Sequence, residues 1–302
     1  MKLRKKIKRD AVYGLARLMF WLLNAVPRTM AMFTGAMVGL AAWQLLVRER
    51  HRALRHLGAV FTDRFTPAQR YSIGRTFFVY SGKNLADAIR FRKHYASELK
   101  NLVEIDGMEH FDSVYGRGKG LVGVTGHIGN FELLAVHIAN LGYDIAVIGR
   151  EIYDPRLDEL LTGNRTALGL TNIATTDSPR VVFRWLREGK AVGVLIDNDS
   201  TRVRGIHVPA FGRLSNTPVG QTIMALRTGA GLVPMACLRT HQNRYKIVIK
   251  PEVTFNPDLP DDEQIYEATS KCTNALEEII RTYPEQWVWL HNRWRTKPKN
   301  TP

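Results

Sequence analysis

The stretch GLVGVTGHIGNFELLAVHIANLG, Gly120 to Gly142, opens with the apolar run Leu121–Thr125, which suits a strand buried on both faces and is too short for a helix. Gly126 breaks that run, and after Asn130 apolar residues return at helical spacing from Phe131 to Leu141. A strand that turns directly into a helix is the unit from which parallel sheets are built.

Outward from this unit the pattern repeats. Further strands are predicted at Leu102–Ile105, Ile145–Ile148, Ala191–Ile196, Leu232–Leu238 and Tyr245–Ile249. Helices are predicted at Pro155–Leu168, Pro179–Glu188 and Pro218–Thr228, each with a proline near its start, where the missing N–H costs nothing. The alternation predicts an α/β fold with a mostly parallel central sheet flanked by helices, in which chemistry gathers at the carboxyl ends of the strands. One or two amphipathic helices are expected between Thr66 and Lys93, and another from Asp261 to Thr282 ahead of an aromatic, basic tail.

The chain has 302 residues, with 45% apolar and 24% charged, which excludes disorder and a multi-spanning membrane protein. Cys237 and Cys272 lie in no metal-binding or disulfide pattern, which suits a reducing location. The net charge of +15 is uneven. Residues 1–60 hold twelve Lys/Arg against Asp10 and Glu49, a net +10, so a nucleic-acid reading would rest on this segment alone.

Apolar residues between those charges argue for a membrane surface instead. AVYGLARLMFWLLNAVP is interrupted by Arg17 and stopped by Pro27, which suits an interfacial helix or one arm of a shallow hairpin. The uncharged run Thr29–Val47 would rise ~28 Å as a helix, close to the ~30 Å of bilayer hydrocarbon, so a single span is also open. A cleaved signal peptide fits poorly because no A-x-A site follows. Ala31, Gly35 and Gly39 form a small-residue stripe suited to close helix contact. Residues 1–50 are therefore read as a membrane-anchoring segment and residues 51–302 as one α/β domain.

His127 stands where the central strand turns into its helix. Gly126 and Gly129 permit close backbone approach, and Asn130 can cap the helix, whose orphan N–H groups favour developing negative charge. A bend could bring Glu132 to one imidazole nitrogen, leaving the other to act as a general base. A structural His and Glu would show the same spacing. His137 is expected to be packed or at the surface, and His51, His56, His207, His241 and His291 show no metal-ligand spacing.

HIGNFE, residues 127–132, is similar to the His-x4-acid signature of the lysophospholipid acyltransferase superfamily, in the form of its bacterial lipid A biosynthesis branch. The resemblance continues through Arg150, DPRLDELLTGNRTALG with Arg165, EGKAVGVLIDNDS with Asp197, Asn198 and Asp199, HVPAFGRLSNTP with Arg213, and PEQWVWLHNRWRTKP at 284–298. Asn198 and Ala210 depart from the branch's usual residues.

The resemblance implies a glycerol-3-phosphate acyltransferase-like fold and a His127/Glu132 pair that deprotonates a lipid hydroxyl. Backbone amides near Gly129 and Asn130 would stabilise the oxyanion. The implied donor is an acyl thioester of acyl carrier protein or coenzyme A; the acceptor is a phosphorylated glycolipid, such as a lipid A precursor. No metal or other cofactor is implied, and the location is the cytosolic face of a bacterial inner membrane. Arg150, Arg165 and Arg213 suit phosphate or carboxylate recognition; the alternative for Arg150 and Arg165 is bracing against Asp197 or Asp199, and for Arg213 a solvated loop charge. Trp287, Trp289 and Trp294 fit either a headgroup interface or simple packing. Another glycolipid acceptor, a thioesterase or esterase, and a non-catalytic membrane adaptor are the competing readings.

Overall fold

The computed structural model describes residues 2–149 and 152–298. Four helices come first: α1 (Lys2–Ala25), α2 (Arg28–Leu45), α3 (Val47–Phe61) and α4 (Pro67–His94). Pro27 separates the first two, and α4 begins at a capping box in which Thr66 and Gln69 satisfy each other's amides. The α/β body follows with β1 (Val103–Asp106), α5 (Met108–Tyr115), β2 (Leu121–Thr125), α6 (Phe131–Asn140), β3 (Ile145–Gly149) and α7 (Pro155–Thr166). It continues with β4 (Thr171–Ala174), α8 (Pro179–Arg187), β5 (Ala191–Leu195), β6 (Gly205–Ala210), β7 (Arg213–Pro218), α9 (Gly220–Thr228), β8 (Gly231–Arg239), β9 (Tyr245–Ile249) and α10 (Asp261–Thr282).

Seven strands form one sheet in the order β1-β9-β8-β2-β5-β3-β4, with β6 and β7 pairing as a separate hairpin. All neighbours in the large sheet are parallel except β8 and β9. Helices cover both faces, so alternate residues of each central strand feed different cores. Val122 and Val124 of β2 join Val192 of β5 in the core under α10, while Leu121 joins Ala191 and Val233 under α6. Each fully buried Val or Leu contributes ~1.5–3 kcal/mol, which explains near-continuous apolar strands where a half-exposed sheet would alternate.

The expected mostly parallel sheet is present, with three local departures. Pro218 ends β7 instead of opening a helix, and α9 starts two residues later. The loop around Phe211-Gly212 is the turn of a hairpin, with both residues at positive φ (53° and 74°) and Ala210 facing Arg213 across it. The short β4 lies at the edge of the sheet beside β3.

At the N-terminus, the run Thr29–Val47 is broken at Leu46, and no single described helix is long and apolar enough to cross a membrane. Only the pair α2 and α3 meets that test together, bent by 89°. Ala31, Gly35 and Gly39 are on the packing face of α2: Ala31 is buried in a cluster with Ala86 and Ile89 of α4, Gly39 lies against Phe78, and Gly35 lies so close to Gly82 that a β-carbon would sit 2.6 Å from its carbonyl oxygen. The other faces point away from the body. Ile7, Leu15, Leu18, Trp21 and Leu22 on α1 and Met30, Phe33 and Met37 on α2 are exposed.

One ionic cluster ties this helical region to the sheet. Asp87 of α4, wholly buried, accepts hydrogen bonds from Arg28 (3.0 and 2.9 Å), Arg239 (2.8 Å) and the Tyr245 hydroxyl (2.6 Å). Burial alone would raise the Asp87 pKa, but hydrogen bonds and charge from Arg28 and Arg239 hold it below the ordinary carboxylate value.

Candidate active site

The register of the sheet assembles the site. Thr125 of β2 pairs with Leu195 of β5, so two residues beyond each strand end His127 and Asp197 lie side by side at the carboxyl edge. Asp197 Oδ2 accepts the His127 amide at 2.8 Å, and Oδ1 lies 2.8 Å from the ring Nδ1. Trp287 Nε1 donates to Oδ2 at 2.9 Å. Burial would raise the Asp197 pKa, but the charge of His127 and these donors outweigh it and hold the carboxyl well below its usual range. An ionised carboxylate only accepts, which assigns the proton to Nδ1 and leaves Nε2 as the basic nitrogen. The His127 side chain is 25% exposed and Asp197 only 6%, so the base reaches the cleft while its partner does not.

Glu132 is not the partner of that imidazole. Gly129 takes a left-handed φ of 56°, and α6 then leads the chain back over the sheet, where Glu132 meets Arg165 of α7. The contact is bidentate, with Arg165 Nε to Glu132 Oε2 at 2.7 Å and Nη2 to the other oxygen. Arg165 therefore pairs with neither Asp197 nor Asp199, and its Nη1 donates to Asn172 at 3.2 Å. Glu132 and His127 still line the same cleft, between α4 and the β2–α6 turn.

The expectation for Gly129 and Asn130 amides is also corrected. Gly129 N donates to the Gln286 carbonyl and Asn130 N to the Cys237 carbonyl, each at 2.7 Å, so neither is free for an oxyanion. A β-carbon on Gly129 would collide with that same Cys237 carbonyl, and one on Gly126 would lie 2.9 Å from Asp197 Cγ. Asn130 does cap α6, its Oδ1 accepting from Leu133 N at 3.1 Å, and its Nδ2 donates to the Tyr245 hydroxyl at 3.0 Å.

The other singled-out residues fall into place around this centre. Asp199 braces the C-terminal segment, accepting from Thr296 N (2.6 Å), Thr296 Oγ1 (2.8 Å) and Asn216 Nδ2 (3.1 Å). Asn198 lies half-buried between the two aspartates. Arg213 sits on the β6–β7 hairpin with its guanidinium 5.5 Å over the Trp294 ring. Arg150 lies outside the described residues. Trp287 and Trp289 are buried, which makes packing and the Asp197 hydrogen bond their roles. His137 is buried against Tyr95 OH at 2.9 Å, and desolvation pushes its pKa down to about 4.

His291 was not anticipated here. Its ring centroid is 4.5 Å from that of His127, edge-on at 86°, and burial together with the neighbouring imidazole lowers its pKa. No local spacing signals it, because 164 positions separate the two rings in the chain. Ligand atoms of His127, Asp197 and His291 lie within 4.8 Å of one another, close enough to hold a cation. Both Asp197 oxygens already accept N–H donors, however, and this favours proton transfer over metal ligation.

Beside the cleft lies a small apolar cavity between α6 and the sheet. Gly123 and Gly193 leave its floor open, Leu134, Ile138 and Met235 wall it, and Glu132 and Arg165 stand among its lining. A basic imidazole next to an apolar space suits activation of an alcohol against an acyl carbon.

The sequence profile of bacterial lipid A biosynthesis acyltransferases matches residues 3–296. The chain belongs to this family. It is 25% identical over 284 residues to the lipid A biosynthesis lauroyltransferase of Escherichia coli K12, covering 93% of this chain and 90% of that protein. The lipid A biosynthesis palmitoleoyltransferase of the same strain is 22% identical over 294 residues, covering 95% and 91%. The phosphatidylinositol mannoside acyltransferase of Mycobacterium tuberculosis H37Rv is 26% identical over 194 residues, covering 63% and 59%. The family is one of acyltransferases, and the His127–Asp197 cleft and its cavity lie within the matched span.

Proposed function

We propose that this chain transfers a fatty acyl group from an acyl thioester, carried by acyl carrier protein or coenzyme A, to a hydroxyl of a lipid A precursor at a membrane surface. The observation that carries this reading is the part-exposed imidazole of His127, held through Nδ1 by buried Asp197, beside an apolar cavity lined by α6 and the central strands. His127 Nε2 takes the proton of the acceptor hydroxyl as its oxygen attacks the thioester carbonyl carbon. The carbonyl electron pair moves onto oxygen and then returns, expelling thiolate, which takes the proton from His127. Asp197 stabilises the transient imidazolium without itself accepting the proton.

The outward apolar faces of α1 and α2, with the basic residues of the N-terminal segment around them, support a monotopic seat on an anionic bilayer. A cytosol-facing site at a bacterial inner membrane fits both that seat and the two free thiols. In a vesicle flotation assay the protein should float with the lipid. A variant carrying Leu15→Glu, Leu22→Glu and Phe33→Glu should remain at the bottom; unchanged flotation would remove the membrane seat.

The chemistry is tested by His127→Ala with a purified acyl thioester and a phosphorylated glycolipid. Ester product should fall at least ~10³-fold, more than other donors in the site would leave behind. Wild-type turnover would remove the mechanism. Thiol release at an equal rate with and without acceptor would favour a thioesterase instead. Similarity to mannoside acyltransferases supports a second reading with a mannosylated inositol lipid as acceptor, which comparison of lipids from cells with and without the gene would separate.

A further inference from the structure

The proposed chemistry needs a donor for the carbonyl oxygen as it becomes an oxyanion, and the amides of the catalytic turn are already committed. His127 N is bound to Asp197, Ile128 N to the Gly126 carbonyl, Gly129 N to Gln286 and Asn130 N to Cys237. Two buried polar groups near that turn have no hydrogen-bond partner among the described residues, His291 Nδ1 on the ring beside His127 and a hydroxyl that lines the apolar cavity. Thr125, the last residue of β2, is 6% exposed, and its Oγ1 is buried with no hydrogen-bond partner among the described residues. A buried hydroxyl without a partner costs roughly 1–3 kcal/mol, so its retention calls for a partner supplied from elsewhere.

Its placement names that partner. Side chains alternate along β2, and Thr125 shares with Gly123 the face turned towards α6, where both line the apolar cavity together with Glu132 and Arg165. Gly123 lies deeper along the strand, and Thr125 is two residues before His127 at the strand's carboxyl end. A chain filling the cavity from that end puts its apolar tail over Gly123 and its carbonyl beside Thr125. Nothing else in an unsubstituted acyl thioester accepts a hydrogen bond so close to the reacting carbon.

We propose that Thr125 is a catalytic residue, its hydroxyl donating to the carbonyl oxygen of the bound acyl thioester and strengthening that bond as the oxygen gains charge. The inference rests on the acyl-transfer reading of the same site. No proton leaves Thr125: the hydroxyl proton of the acceptor passes to His127 and on to the departing thiolate.

The test compares Thr125→Val, which keeps the shape and loses the donor, with Thr125→Ser, which keeps the donor. In the full-length protein Thr125→Val should lose ~10²-fold in kcat with an unsubstituted acyl thioester, with little change in KM, as for removal of one oxyanion donor. Thr125→Ser should stay within about tenfold. The Val variant should melt no lower than wild type, because the orphan hydroxyl is gone, so a folding defect cannot imitate the result. A methyl ketone analogue, with CH2 in place of sulfur, should show a lower carbonyl stretching frequency bound to wild type than to Thr125→Val.

Wild-type kcat in Thr125→Val would overturn the assignment, as would a loss confined to KM. A loss seen only with 3-hydroxyacyl donors would also overturn it, placing the hydroxyl against the chain instead of the carbonyl. His127→Ala separates the two levels. If it is inactive while Thr125→Val is fully active, only the role of Thr125 fails; if it too is active, the acyl-transfer reading fails with it.

Discussion

Asp197 and Asp87 are two buried aspartates with nearly the same surroundings on paper and different roles. Each accepts hydrogen bonds from three different side-chain or backbone donors, and each is held ionised against the cost of burial. Asp197 faces an imidazole, a ring that can both accept and give up a proton and that opens on the cleft. Asp87 faces two guanidiniums, which never release one, and both Asp87 and Arg239 are fully buried. A buried carboxylate thus becomes part of a reaction only when its partner can both titrate and reach substrate. Otherwise it joins elements, here α2 and α4 to β8 and β9.

The difference can be broken first at Asp197. Asp197→Asn keeps the shape but no longer requires the proton on Nδ1, so kcat should fall by ~10³–10⁴ while KM stays within about threefold. Steady-state kinetics on protein of unchanged circular dichroism would check it. Asp87→Asn should do the opposite. Removing one partner from a buried ion cluster costs ~3–5 kcal/mol, read as a lower urea midpoint, while kcat per folded molecule should change only a few-fold.

Acid titration sharpens the same contrast. Both aspartates have folded pKa values below their unfolded ones, so their contribution is complete above the ordinary carboxylate range and is lost as pH falls through it. Wild-type stability should therefore drop below about pH 4, and Asp197→Asn and Asp87→Asn should each flatten that slope. Equal slopes in all three proteins would contradict it. A smaller effect is expected from Glu132→Gln, which weakens the pair with Arg165 without touching the imidazole: about tenfold in kcat/KM. Tyr245→Phe, which removes the hydroxyl's hydrogen bonds to Asp87 and from Asn130 and Arg239, should cost about 1–3 kcal/mol in stability.

The carboxyl-edge position of His127 was legible because a five-residue apolar strand followed by a glycine and a capped helix has few other readings. Its partner was not. Glu132 is close in the chain, whereas Asp197 is brought near by the parallel pairing of β2 with β5, and a register between strands 70 residues apart leaves no local trace. His291 escaped for the same reason. The β6–β7 hairpin was hidden by Pro209, which argues against a strand, and by Phe211, a bulky residue in the left-handed region where glycine or asparagine is usual. The edge strand β4 is only four residues long and half polar, too little pattern to stand out. The stripe Ala31, Gly35 and Gly39 signalled close contact correctly, but its partner proved to be α4.

The most direct test is nitrogen-15 NMR of labelled histidine, which reports which ring nitrogen of His127 carries the proton. Wild-type protein and Glu132→Gln should both show an Nδ1–H form hydrogen-bonded to carboxylate, and Asp197→Asn should lose it. An Nδ1–H signal that survives Asp197→Asn and disappears in Glu132→Gln would contradict the pairing of His127 with Asp197.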